Sequence, residues 1–205
     1  MWIRRLTSLD ASLLEALLLS LPPEQRRLRF CHSISTEGVR RYVAGLDWKG
    51  GDVFGAFEGL HLVGAIELMP AGPQALEGAL EVHPRYQRRG IARQLVERGI
   101  LHAKVLGKTE LQLNCLSENG AMKQIARNHG MKLASSHGEV ESKLPLAPAA
   151  PADFVAAGWQ ALQNMTESSR AASEWFLRAG LVRAPAGLTV PPVEPEPQSA
   201  GSGTP

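Results

Sequence analysis

The run Val82-His83-Pro84-Arg85-Tyr86-Gln87-Arg88-Arg89-Gly90-Ile91-Ala92 brings together the parts of an anion site. It reads as the end of a strand, a basic loop, and a helix that begins near Ile91. Such a loop leaves backbone N–H groups unpaired beside the positive end of a helix dipole, where a phosphate is readily held. Gly90 has no Cβ to keep a ligand off the backbone, and Ala92 keeps the next turn slim. Arg85, Arg88 and Arg89 add positive charge around the same point. On the strand just upstream stand two carboxylates, Glu77 and Glu81. Their spacing of four puts both on one face at a period of two, unless a bulge intervenes. A carboxylate beside an anion site can take a proton from a nucleophile. His83 is a further titratable group, with an ordinary pKa of about 6.5.

Other chemistry has less support. His32, His61, His102 and His137 show no metal-ligand spacing, and no Ser/His/Asp arrangement stands out, so no metal site is expected. Cys31 and Cys115 sit inside apolar patterns and are expected to be reduced. The net charge of +2 gives no argument for nucleic acid. Basic character is local to Arg85–Arg93 and suits a small polyanion. At the N-terminus, Trp2-Ile3-Arg4-Arg5 is basic and Leu13–Leu21 is rich in leucine. Asp10 and Glu15 interrupt that region, no small-residue cleavage site follows, and Pro22-Pro23 closes it. No stretch reaches the roughly 20 apolar residues of a membrane span, so a cytoplasmic protein without membrane contact is expected.

The elements that must position these residues follow from periodicity. Leucines at 9, 13, 14, 17, 18 and 21 predict a helix over Leu9–Ser20 with one apolar face. Pro23–Phe30 predicts a short helix with proline in its first turn, and Ser35–Leu46 a third, burying Val39, Tyr42, Val43 and Leu46. Asp52–Phe57 and Leu60–Leu68 read as a hairpin turning at Glu58-Gly59, followed by a strand over Leu76–His83. A long helix is expected over Ile91–Leu106, a strand over Thr109–Cys115, a helix over Asn119–His129, and a last hairpin from Met131–Leu133 and Val140–Leu144. With 205 residues, 44% of them hydrophobic, the chain can bury one core of about 150 residues and carry an extra segment.

The Gln/Arg-x-x-Gly-x-Gly/Ala pattern at Gln87–Ala92, set between an apolar strand and an amphipathic helix, resembles the Gcn5-related N-acetyltransferases (GNAT). The order of elements over residues 2–144 resembles them as well. The opening Leu21-Pro22-Pro23-Glu24-Gln25-Arg26-Arg27-Leu28-Arg29-Phe30 is similar to the start of GNAT domains grouped with bacterial protein-lysine acetyltransferases. The resemblance implies an α/β (α+β) fold, a mixed central sheet flanked by helices. It also implies acetyl-CoA as co-substrate and direct transfer to a primary amine of a small molecule or a protein lysine or N-terminus.

Under that resemblance Gln87, Arg88, Arg89, Gly90, Ile91 and Ala92 hold the pyrophosphate, mainly through main-chain amides. Val82 offers backbone contacts to thioester and pantetheine where its strand splays from the next, and Asn119 contacts the pantetheine arm. Glu77, five residues before Val82, is implied as the general base, with Glu81 as the other candidate. Many members end the second helix with a tyrosine that protonates the leaving thiolate. Aligning Gly130-Met131 with their Gly-Phe puts Ala126 at that position, leaving water, His129, Tyr86 or Ser117 to serve. The same departure admits an alternative, a non-catalytic acyl-CoA-binding sensor or scaffold acting through its C-terminal helix.

Beyond Leu144 the composition changes. The expected organisation is a GNAT domain over 1–144, a Pro/Ala linker over 145–152, a C-terminal amphipathic helix over 153–183 and a disordered tail over 184–205. Phe154, Trp159, Leu162, Met165, Trp175 and Phe176 form an apolar stripe on that helix. The stripe is expected to dock on its own domain, on a second copy as a homodimer, or on a protein partner.

Overall fold

The computed structural model describes residues 1–178. A first strand, β1 (Trp2–Arg5), precedes three helices, α1 (Ala11–Ser20), α2 (Pro23–Phe30) and α3 (Thr36–Ala44). An antiparallel meander follows, β2 (Asp52–Glu58), β3 (His61–Pro70) and β4 (Ala75–Val82). Then come α4 (Ile91–Val105), β5 (Glu110–Leu116), α5 (Gly120–Asn128), the hairpin β6 (Lys132–Ser136) and β7 (Glu139–Pro145), and α6 (Pro151–Arg178). The strands form one mixed sheet in the order β1-β2-β3-β4-β5-β7-β6. Only β4 and β5 pair in parallel, because the α4 crossover lies between them.

Each face of the sheet carries its own apolar layer. Ile66 and Leu68 of β3 meet Leu95 and Val96 of α4, Leu111 and Leu113 of β5, and Met122 and Ala126 of α5. Ala65 and Phe57 face the other way, onto Leu14, Leu17 and Leu18 of α1 and Val39 and Val43 of α3. Each buried side chain of this size contributes roughly 1.5–3 kcal/mol. Alternation along β3 therefore sends Glu67, between Ile66 and Leu68, toward the α1–α3 side.

Three expectations change. The run at Trp2–Arg5, read only for targeting, is an edge strand paired with β2 from Trp2↔Phe57 to Arg5↔Phe54. The first helix is shorter than Leu9–Ser20. A 3-10 turn at Ser8–Asp10 precedes it, and Leu9 and Leu13 are exposed while Leu14, Leu17, Leu18 and Leu21 are buried. The cause is Asp10, which accepts from the backbone N–H of Thr7 at 2.9 Å and from Arg4 at 2.6 and 2.8 Å, closing a tight turn that carries Leu9 outward.

The third change concerns α6. It packs on α4 and β1 through polar groups: Lys104 Nζ meets Asp153 at 2.7 Å, the Ile3 N–H donates to Asn164 Oδ1 at 3.3 Å, and Arg98 donates to Gln160. Asp153, Gln160 and Asn164 recur at helical spacing and form the inner face. Trp159 and Met165, on the opposite side, are 62% and 67% exposed. The apolar stripe does not dock on its own domain over this part of the helix, because α4 offers Arg98 and Lys104 to α6 and selects polar partners. The expected tail over 184–205, and the last residues of the expected helix, lie outside the described residues.

Candidate active site

The parallel ladder between β4 and β5 runs from Ala75↔Glu110 to Gly78↔Leu113 and stops. Each strand then continues with its other neighbour. β4 stays paired with β3 to Val82↔Gly64, and β5 stays paired with β7 to Leu116↔Glu139. The two strands are thus pulled apart beyond Gly78, and a cavity of about 860 Å³ opens there. Its walls come from the splayed ends of β4 and β5, from α2 and α3, and from the starts of α4 and α5.

Backbone conformation shapes the loop end of this cleft. Residues Pro84–Tyr86 form a 3-10 turn, capped by His83 Nδ1, which accepts from the Arg85 N–H at 3.2 Å. Gln87 ties the loop down, its Nε2 donating to the Val82 carbonyl at 3.0 Å and to Gln25 Oε1 at 2.9 Å. Arg88 and Gly90 both adopt left-handed backbone, at φ 63° and 80°. Gly90 is the residue that caps α4, and a Cβ there would meet nothing within 4 Å. Its requirement in the free protein is therefore conformational, since a side chain at that φ is strained. Val82, Gln87, Arg88, Gly90, Ile91, Ala92 and Asn119 all line the cleft. Arg89 does not. Its guanidinium lies 5.1 Å from the Tyr86 ring centroid and 3.7 Å from Glu58. Asn119 caps α5, its Oδ1 accepting from the Met122 N–H at 3.0 Å.

A group of ionisable side chains stands at the opposite end. The β3–β4 pairing runs without a shift from Gly64↔Val82 to Pro70↔Leu76, so Glu77 and Glu81 share the face toward α2 and α3. They are unlike in environment. Glu77 is exposed and accepts from Asn114 Nδ2 at 3.1 Å. Glu81 is enclosed, its side chain 0% exposed. Arg29 Nε donates to Glu81 Oε2 at 2.6 Å, and an Nη of the same guanidinium reaches Glu67 at 2.5 Å. Tyr42 donates its hydroxyl to the other Glu67 oxygen. Glu67 and Arg29 are also withdrawn from water, at 1% and 8%. The Arg29 guanidinium lies 5.0 Å from the Phe30 ring and 5.9 Å from the Tyr42 ring.

Two carboxylates share this one guanidinium, and Glu81 Oε1 has no hydrogen-bond partner among the described residues. Burial pushes the Glu81 carboxyl up to about 8, with Arg29 drawing it down and the Glu67 charge adding to the rise. Arg29 is held firmly protonated. Its burial opposes the charge, but the Glu67 and Glu81 carboxylates outweigh it. Burial and the Glu67 charge raise the Tyr42 hydroxyl as well, so it stays a donor.

The sequence marks Tyr42 only as a buried residue of the third helix and Arg29 only as part of the opening run, and it assigns neither of them, nor Glu67, to the site. The available signal was Glu67, a carboxylate inside the apolar run of β3, since a charge there needs a partner or a function. Helix α2 straddles the cleft: Gln25 holds the loop, Arg27 pairs with Glu118 beside Asn119, and Arg29 reaches the carboxylates.

The family model described as Acetyltransferase (GNAT) family matches residues 19–131. The chain belongs to this family. Solved GNAT structures share the fold. The GNAT domain of S. lividans PAT is 22% identical, with a TM-score of 0.61, covering 70% of this chain and 89% of that one. The yncA structure from Salmonella typhimurium, with its cofactor acetyl-CoA, is 18% identical at a TM-score of 0.57, covering 73% and 96%. The ribosomal-protein-S18-alanine N-acetyltransferase from Escherichia coli is 17% identical at a TM-score of 0.57, covering 73% and 96%. No curated protein sequence matches the chain. In this GNAT domain Ala126 is fully buried in the core. Of the three substitutes for a tyrosine at that place, Tyr86 lines the cleft, while His129 turns its Nδ1 to the Ile125 carbonyl at 2.8 Å.

Proposed function

We propose that this GNAT protein is an N-acetyltransferase that moves an acetyl group from acetyl-CoA directly to a primary amine of a small molecule or protein. The observation that carries the reading is one continuous cleft, joining Gln87, Arg88 and Gly90 of the loop to the stretch of β4 that bears Glu77 and Glu81, across the splay of β4 and β5. The loop amides and the α4 N-terminus suit the diphosphate of the co-substrate, with Arg88 and Arg93 at the rim. Backbone along Ala79–Val82, released from β5, is available to the acyl and pantetheine portion, and Asn119 faces the same space.

The co-substrate supplies an activated thioester, and the protein's task is the proton. Glu81 takes it from the attacking amine as the N–C bond forms and the C–S bond breaks. The departing thiolate is reprotonated by Tyr86 or water. Glu81 suits the role because a base works best with a pKa near the working pH, and one of its buried oxygens has no hydrogen-bond partner among the described residues. Glu77, exposed at the mouth, draws in the cationic acceptor. Ala126, in place of a proton-donating tyrosine, favours the second reading, a non-catalytic acyl-CoA-binding sensor or scaffold.

Thiol release from acetyl-CoA tests this over a panel of alkyl amines, polyamines and peptides with free lysines or N-termini. Catalysis predicts amine-dependent release that Glu81→Gln lowers about a hundredfold or more while calorimetric CoA affinity holds. Tight CoA binding with no release for any amine supports the sensor. The same loss in Glu77→Gln, with Glu81→Gln active, moves the base to Glu77.

A further inference from the structure

We propose that Arg29 is a positioning residue for the acetyl transfer: bridging Glu67 and Glu81 beside the cleft, it locks one Glu81 oxygen and leaves the other, unpartnered, as the oxygen that takes the proton. The proposal rests on the reading of Glu81 as proton acceptor and names the device that regulates it. Its geometry is specific. One guanidinium spends its Nε on Glu81 Oε2 and an Nη on Glu67, so rotating either carboxylate would break a charge-assisted hydrogen bond away from water. Tyr42 pins the second Glu67 oxygen, which fixes the guanidinium from behind, and the Phe30 and Tyr42 rings border its plane. Glu81 Oε1 is the one carboxylate oxygen of the network with no hydrogen-bond partner among the described residues, and it is buried.

The charges also set when Glu81 is ready. The ionisable groups around it are Arg29 from α2, Tyr42 from α3, Glu67 from β3, Glu77 on its own strand and Cys31 just after α2, with Arg88 and Arg93 at the far rim. Arg29 lowers the carboxyl and Glu67 raises it, against a larger rise from burial. Substituting the two neighbours should therefore move Glu81 in opposite directions. A lysine at 29 keeps the charge but loses the planar fork that reaches both carboxylates.

The test uses the full chain with 13C-labelled glutamate, following the Glu81 carboxyl by NMR against pH. Glu81 is assigned by the resonance missing in Glu81→Gln. Arg29→Met should raise the titration midpoint by about one pH unit or more, and Glu67→Gln should lower it by a similar amount. In thiol-release kinetics with the best amine of the panel, the acidic limb of kcat should shift with those midpoints. KM for acetyl-CoA should stay within about twofold, and Arg29→Lys should recover the limb in part. Glu67→Gln, which removes a buried charge, carries the test if Arg29→Met does not fold. Unmoved midpoints, or a loss of rate uniform across pH, overturn the proposal. Loss in Glu81→Gln with an unmoved limb in both neighbours overturns this proposal alone. Full activity in Glu81→Gln overturns it together with the assignment of the base.

Discussion

At the loop end of the cleft, the proposed function assigns the co-substrate to main-chain amides around Gln87, Arg88 and Gly90, which are exposed residues. At the other end, where the same reading puts the proton transfer, stand the side chains of Arg29, Glu67, Glu81 and Tyr42, three of them almost wholly withdrawn from water. The difference sets what each end tolerates. A backbone site depends on φ and on the helix dipole, so side chains can change where the backbone conformation allows. A buried ionic site depends on each partner, because removing one leaves an uncompensated charge away from water. One end is robust and general, and the other is brittle and tunable.

Substitutions should rank accordingly. The largest loss is expected for Glu81→Gln, at about a hundredfold or more in kcat with CoA affinity held, read by thiol release and calorimetry. The pH profile sharpens the point. A base must be deprotonated to work, so wild-type kcat/KM should climb with rising pH through about 8, the value to which burial lifts Glu81. Glu77, exposed, should give a smaller loss expressed in the KM of the amine. Equal loss from both carboxylates would break the contrast between an enclosed base and a rim charge.

Next comes Gly90→Val. A β-branched residue resists the left-handed backbone at φ 80°, and its side chain would stand where the ligand approaches. CoA affinity should fall about tenfold, about 1.4 kcal/mol. Unchanged affinity by calorimetry would mean that the loop backbone does not hold the ligand. Arg88→Gly should cost less, about twofold to threefold in affinity, because it removes one charge but relieves a non-glycine residue from φ 63°. Smallest of all is Arg89→Ala, expected within about twofold, since Arg89 turns to Tyr86 and Glu58 rather than into the cleft. A large effect there would show that charge, and not the backbone, carries the loop end.

A similar contrast runs through α6. Its sequence periodicity shows an apolar stripe, and a stripe alone predicts an inward-facing surface. The partner decides otherwise, since α4 presents Arg98 and Lys104, which take Gln160 and Asp153. Periodicity identifies two faces of a helix without saying which one a neighbour will accept.

The local features were legible in the chain itself: the loop at Gln87–Ala92, the helix that starts at Ile91, the hairpin turning at Gly59, and the shared facing of Glu77 and Glu81. Each depends on dihedral preferences or periods within a few residues, which neighbouring side chains dictate directly. The resemblance implied the splay of β4 from β5, and the tertiary structure alone decided its place at Gly78, the withdrawal of Glu81 from water, and its union with Arg29, Glu67 and Tyr42. Those four residues come from α2, α3, β3 and β4, and no local rule brings them together. Burial and mutual charge, which set the proton affinity of Glu81, exist only once the helices have closed over that face of the sheet.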